Sequence, residues 1–172
     1  LLALNSYENR VWQVGLEQDA PLIAKFYRPG RWSDEAILEE HRFALELVDH
    51  ELPIVPPMVL DGDTLHHFAG QRFALFKRFG GHAPELADQE TLKILGRLMG
   101  RIHAIGATRV FVHRPTISPE TMGSDSVRFL LENQWIPAHL EPAFESITHD
   151  LMTEIQAHWQ HVDAKSFLRL HG

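Results

Sequence analysis

The sequence has no cysteine. That excludes disulfides, thiolate metal sites and a cysteine nucleophile. No apolar run approaches the roughly 20 residues of a membrane-spanning helix. There is no lysine- or arginine-rich block, and 16 basic residues face 23 acidic ones for a net charge of −7. Such a field does not attract nucleic acid, so no nucleic-acid partner and no membrane partner is expected. No internal repeat or low-complexity tract is visible. No signal peptide is legible, and the chain opens on Leu1 rather than Met. With the absence of cysteine, this fits a cytoplasmic location.

The hydrophobic fraction of 44% is that of an ordinary globular protein. A length of 172 residues suffices for one sizeable core, or for a small lobe plus part of a second. The twelve histidines are scattered. Only His66-His67 and the His158/His161 pair are close in sequence, and neither has the glutamate spacing of a zinc helix. They read as solvated histidines, and no metal site is expected among these residues.

Two β-prone runs, Val11 to Val14 and Leu22 to Tyr27, flank a hairpin connection from Gly15 to Pro21. Pro29-Gly30 ends the second. Ser33 is then a candidate N-cap, with Asp34 and Glu35 in the first turn, where acids suit the helix dipole. Ile37, His41, Ala44 and Val48 form the apolar stripe of that helix, and Glu39 falls on its wet side beside Glu35, Arg42 and Glu46. The prolines at 53, 56 and 57 cannot continue it. Asp61-Gly62-Asp63 reads as a turn between strands, and Ala69-Gly70 leads into a strand from Arg72 to Lys77. Gly80-Gly81 breaks that strand, and from about Asp88 onward the chain reads as helical. Leu92, Leu95, Leu98, Met99, Ile102 and Ile105 mark one helix, which Gly106 can stop, while Gly96 and Gly100 leave one face bare for close packing. Further helices are expected from Ser124 to Asn133 and from Pro142 to Trp159, then a short strand at Phe167 to Leu170. The fold class is therefore α+β, a β-rich segment (1–79) preceding an α-rich one (80–172).

Two charged residues stand out. Lys25 interrupts an apolar strand, where Ile23, Lys25 and Tyr27 share one face. A lysine there either faces water at a sheet edge or points into a site. Glu40 lies three residues from Ile37 and four from Ala44, at the border of the apolar stripe. It is either an ordinary boundary glutamate or a carboxylate that needs a cation, for which Lys25 is the candidate. The order is strand with lysine, helix with glutamate, further strands, a glycine break, then helices. That is the layout of a protein-kinase-type small lobe, in which the lysine holds phosphates and the glutamate holds the lysine. No G-x-G-x-x-G loop is present. Its place is taken by Leu4-Asn5-Ser6-Tyr7-Glu8-Asn9-Arg10, whose small polar residues either cap phosphate or form a plain turn.

Together, Asn5 to Val11, Lys25-Phe26-Tyr27-Arg28-Pro29, Ile37 to Leu45, Gly96 to His103, Phe111 to Ile117 and Leu168-Arg169-Leu170-His171-Gly172 resemble the stress response kinase A family. That family shares the protein-kinase-like two-lobe fold of aminoglycoside, choline and homoserine kinases. The resemblance implies ATP-dependent phosphorylation of protein serine or threonine, with ATP and Mg²⁺ as cofactors and a protein as acceptor. It implies roles for Lys25 on the phosphates and Glu40 behind it. Ser6, with Tyr7 and Asn9, would sit in the phosphate loop. Val11 and Ile23 would sandwich adenine, Phe76 would back the ring, and the backbone from Lys77 to Phe79 would bond its edge.

In the family, His-Gly continues into Asp-x-His-x-x-x-Asn and a later metal-binding aspartate. Here the sequence closes on His171-Gly172. The catalytic base and metal ligands are therefore expected outside these 172 residues, and this stretch alone is expected to bind nucleotide without transferring phosphate. His171 either shapes the catalytic turn or is a solvated histidine. A small-molecule kinase of the same fold, a non-catalytic nucleotide-binding scaffold and a plain interaction domain are the alternatives.

Overall fold

The computed structural model describes residues 1–81, 83–163 and 166–170; His171 lies outside them. Five strands form one antiparallel sheet: β1 (Leu2–Leu4), β2 (Arg10–Val14), β3 (Leu22–Phe26), β4 (His66–Phe68) and β5 (Gln71–Lys77), in the order β1-β2-β3-β5-β4. β1 was not anticipated, because a three-residue Leu-Ala-Leu run is too short to show a period. Its strand character comes from pairing with β2, Leu2 opposite Gln13 and Leu4 opposite Val11. Asp61-Gly62 and Ala69-Gly70 both take positive φ, as two-residue hairpin turns require. The first closes only an isolated bridge between Leu60 and Asp63 rather than two strands; the second joins β4 to β5.

Helix α1 (Asp34–Asp49) starts where the sequence places it. The Ser33 hydroxyl accepts the Ala36 N–H at 3.2 Å. Arg72 on β5 secures this end, donating to the Trp32 carbonyl at 2.7 Å and to the Asp34 carboxylate at 2.9 Å. That guanidinium holds the Asp34 pKa below the usual carboxylate value, and nearby His67 adds to the effect.

The first half of α1 packs on the sheet, with Ile37 in a cluster with Tyr27, Leu65 and Ala74. Its second half packs on helix α2 (Gln89–Gly106), where Phe43, Leu47 and Leu52 surround Ile102. Asp88 caps α2, accepting the N–H groups of Glu90 and Thr91.

Four expectations are revised. Glu39 is not on the wet side of α1. It is 9% exposed and accepts N–H bonds from Val112 at 2.7 Å and His113 at 2.8 Å. Gly106 does not terminate α2 through special backbone angles; the helix includes it and Ala107 follows as the cap. Its role is close approach, since a Cβ at this position would lie 2.3 Å from the Arg169 carbonyl oxygen. Residues 167–170 form no strand. Arg169 instead donates its own N–H to the Gly106 carbonyl, and its buried guanidinium makes a two-pronged pair with Glu46 at 2.6 and 3.1 Å over the Phe43 ring. This pairing draws the Glu46 pKa down. Finally, the bare face of α2 is not closely packed, for nothing lies within 4 Å of where a Cβ would stand on Gly96 or Gly100.

The chain divides into two compact units. The first comprises residues 1–113 with residues 168–170, because α2 shares its core with α1. The second spans Arg114–Phe167. It holds a π-helical turn (Glu120–Ser124) leading into α3 (Asp125–Glu132), and α4 (Glu141–Trp159) with Pro142 in its first turn. No helix among the described residues is long and apolar enough to cross a membrane.

Candidate nucleotide site

The antiparallel register brings one face of β2, β3 and β5 together. Val11 stands opposite Lys25, Lys25 opposite Ala74, and Ile23 opposite Phe76. Direct partners project to the same side, so Val11, Ile23, Lys25 and Phe76 form one surface. Ala74 is fully buried and presents only a methyl group, leaving Lys25 free to extend over it towards α1. There its Nζ lies 2.9 Å from Glu40 Oε1, with both side chains about three-quarters buried. The ammonium also sits 4.9 Å from the centre of the Tyr27 ring. Lys25 points into the site rather than to water.

These residues line a cavity of about 410 Å³ with Glu40, His41, Ala44, Val55, Pro57, Lys77 and Phe79. The segment before the 60s completes the wall. Pro57 bridges to Phe76, and the Met58 N–H donates to the Leu75 carbonyl at 2.7 Å. Of the residues that the sequence points to, Val11, Ile23, Lys25, Glu40, Phe76, Lys77 and Phe79 are therefore together. Ser6, Tyr7 and Asn9 are not in the lining. Tyr7 is fully exposed, and the Asn9 side chain accepts the Arg28 N–H at 3.4 Å. The loop they occupy is tied down by Glu8, which accepts from Arg31 at 2.7 Å and from the Trp32 indole at 3.1 Å.

Sequence reasoning did not single out Ala44, Val55, Pro57 or His41 as lining residues. Ala44 and His41 belonged to the α1 stripe and read as core, while Val55 and Pro57 lie in an irregular segment without a period. His41 is 1% exposed, bonded to the Tyr27 hydroxyl at 2.6 Å and to the Thr64 hydroxyl at 2.8 Å. Burial lowers its pKa from 6.5 to about 4, opposed by Glu40 and assisted by Lys25 and His66. The cavity thus combines apolar walls, one fixed ammonium and a neutral imidazole. It suits a flat apolar ring joined to an anion. Among the described residues no group of three or more His, Asp or Glu could hold a metal ion.

Comparison with known proteins gives the family of the chain. The chain is 40% identical over all its residues to stress response kinase A of Shigella flexneri and of Escherichia coli strain K12. It is 38% identical to the serine/threonine protein kinase RdoA of Salmonella typhimurium. It covers 52% of each of these proteins, so it spans about half the length of the curated relatives it matches. Among solved structures, amicoumacin kinase hAmiN in complex with AMP-PNP, Ca²⁺ and Ami shares the fold. The TM-score is 0.68 at 20% identity, over 95% of this chain and 49% of that one. The profile of the phosphotransferase enzyme family matches residues 1–172, and the chain belongs to that family.

Proposed function

We propose that the cavity on the β2–β3–β5 face binds ATP, and that the whole protein is an ATP-dependent kinase acting on serine or threonine of a protein. The Lys25–Glu40 pair at the cavity wall carries this reading. A phosphate chain needs a cation held in place, and a long lysine is held by a carboxylate behind it. The volume lies in the range of about 300–1,000 Å³ usual for small-molecule sites. In this reading Val11 and Ile23 cover one face of adenine and Phe76 backs it, while the backbone of Lys77 to Phe79 bonds its edge. Ser6, Tyr7 and Asn9 belong to a loop that offers backbone N–H and hydroxyl donors to the phosphates. Residues 1–79 act as the nucleotide-binding lobe and 80–172 as the start of the helical lobe. Mg²⁺ is part of the same proposal, as the ion that accompanies the phosphates of ATP. The protein acceptor is supported by the name of the 38% identical relative, a serine/threonine protein kinase. A cytoplasmic location is part of the same proposal.

The test is calorimetry of AMP-PNP against the chain and two variants. Lys25→Ala removes a charge-assisted contact worth roughly 1.5–3 kcal/mol, so affinity should fall about 10- to 150-fold. Glu40→Gln should cost less, because it disorients the lysine without deleting it. Undiminished binding by Lys25→Ala would remove the proposed role. For the acceptor, the full-length protein with radiolabelled ATP should label protein rather than an aminoglycoside or amino alcohol.

A further inference from the structure

Three consecutive residues of α1 reach three different parts of the first unit. Successive helical residues are turned by about 100°, so Glu39, Glu40 and His41 fan across more than half the helix circumference. Glu40 meets Lys25 on β3. His41 meets Tyr27, just past the end of β3, and Thr64, before β4. Glu39 meets the loop after α2, its two oxygens accepting the consecutive N–H groups of Val112 and His113. One turn further along, Phe43 meets Phe111 of that loop edge-to-face, with ring centres 5.7 Å apart. The loop is thus held on α1 by an apolar and a charged contact side by side.

A carboxylate this well buried is costly unless bonded, and two backbone donors to one carboxylate form a directional clamp. Rotation of α1 in the sense that would carry Glu40 away from Lys25 would also pull Glu39 off both donors. From this geometry we infer that Glu39 is a positioning residue. By gripping the loop at residues 112–113, it fixes the rotation of α1 and so keeps Glu40 facing Lys25. The inference rests on the nucleotide-site reading for its functional meaning, but not for its test.

That test uses nuclear magnetic resonance on the full chain without nucleotide. Lys25 is one of four lysines, so its side-chain signal can be assigned and followed. Glu39→Gln should move the Lys25 signal part of the way to its position in Glu40→Gln. Adding Glu39→Gln to Glu40→Gln should move it no further. Val112→Pro, which deletes one donor without altering α1, should reproduce the shift and decides the matter if Glu39→Gln does not fold. A Lys25 signal unmoved in Glu39→Gln and Val112→Pro, with faster amide exchange at His113, would mean that Glu39 merely pins the loop, and the inference would fail. In parallel, Glu39→Gln should weaken AMP-PNP binding roughly three- to tenfold, the scale of one impaired charge-assisted bond. Absence of AMP-PNP binding even by the unaltered chain would count against the nucleotide site alone, leaving the Lys25 signal to judge Glu39.

Discussion

His41 is the residue whose chemistry most directly couples the site to stability. Burial holds its pKa near 4, against 6.5 for a free imidazole. Between those values the folded chain binds fewer protons than the unfolded chain, so stability rises with pH through the window. The contribution is complete above about pH 6.5, and is lost progressively as the pH falls towards 4. Over the whole window it is on the order of 3 kcal/mol. Urea unfolding at pH 7 and pH 5 should show a larger loss in the natural chain than in His41→Gln, which cannot titrate. Equal losses in the two would mean that the imidazole is already charged when folded. The lowered carboxylates Asp34 and Glu46 act in the same direction, but their contribution is lost only as the pH falls through the range of their own titration.

Among the elements, α2 gives the sharpest contrast between local and tertiary control. Gly96 and Gly100 lie on its exposed face with free space around them, so alanine at either should stabilise by about 1 kcal/mol through helix propensity. Gly106 sits in the same helix, yet a methyl there would press on the Arg169 backbone oxygen. Gly106→Ala should therefore destabilise by about 1–3 kcal/mol, despite the same gain in propensity. Unfolding midpoints of the three variants should move in opposite directions; a stabilising Gly106→Ala would mean that the 168–170 segment does not lie where described. What was readable from sequence follows the same division. The cap at Ser33, the period of α1, the Ala69-Gly70 turn and the helix beginning near Asp88 are local signals, and each was legible. So was the border position of Glu40, because it depends only on helix spacing. Glu39 was misread because spacing within α1 assigns a face by its own neighbours, and the donors that bury Glu39 come from a loop more than 70 residues later. Phe167 to Leu170 reads as a short apolar strand interrupted by one arginine, but the partners of Arg169 are a helix end and Glu46 rather than another strand.

For the whole molecule, the net charge of −7 meets a nucleotide that is itself an anion. Long-range repulsion should slow their encounter, and salt should relieve it. Stopped-flow association of a fluorescent ATP analogue should therefore quicken between about 20 and 150 mM salt, where screening becomes effective. A rate that falls over this range would show that the local field of Lys25 and Lys77 at the cavity outweighs the overall charge. The clamp of Arg169 on Glu46 has a different consequence, one of timing. It joins residues 123 positions apart. A ribosome adding roughly 5–20 residues per second finishes the sheet, α1 and α2 several seconds before Arg169 emerges. Until then Glu46 lacks its guanidinium and the end of α2 lacks the strap that crosses it. The first unit is thus built early in synthesis but fastened late, by a residue that arrives after the entire second unit has been made.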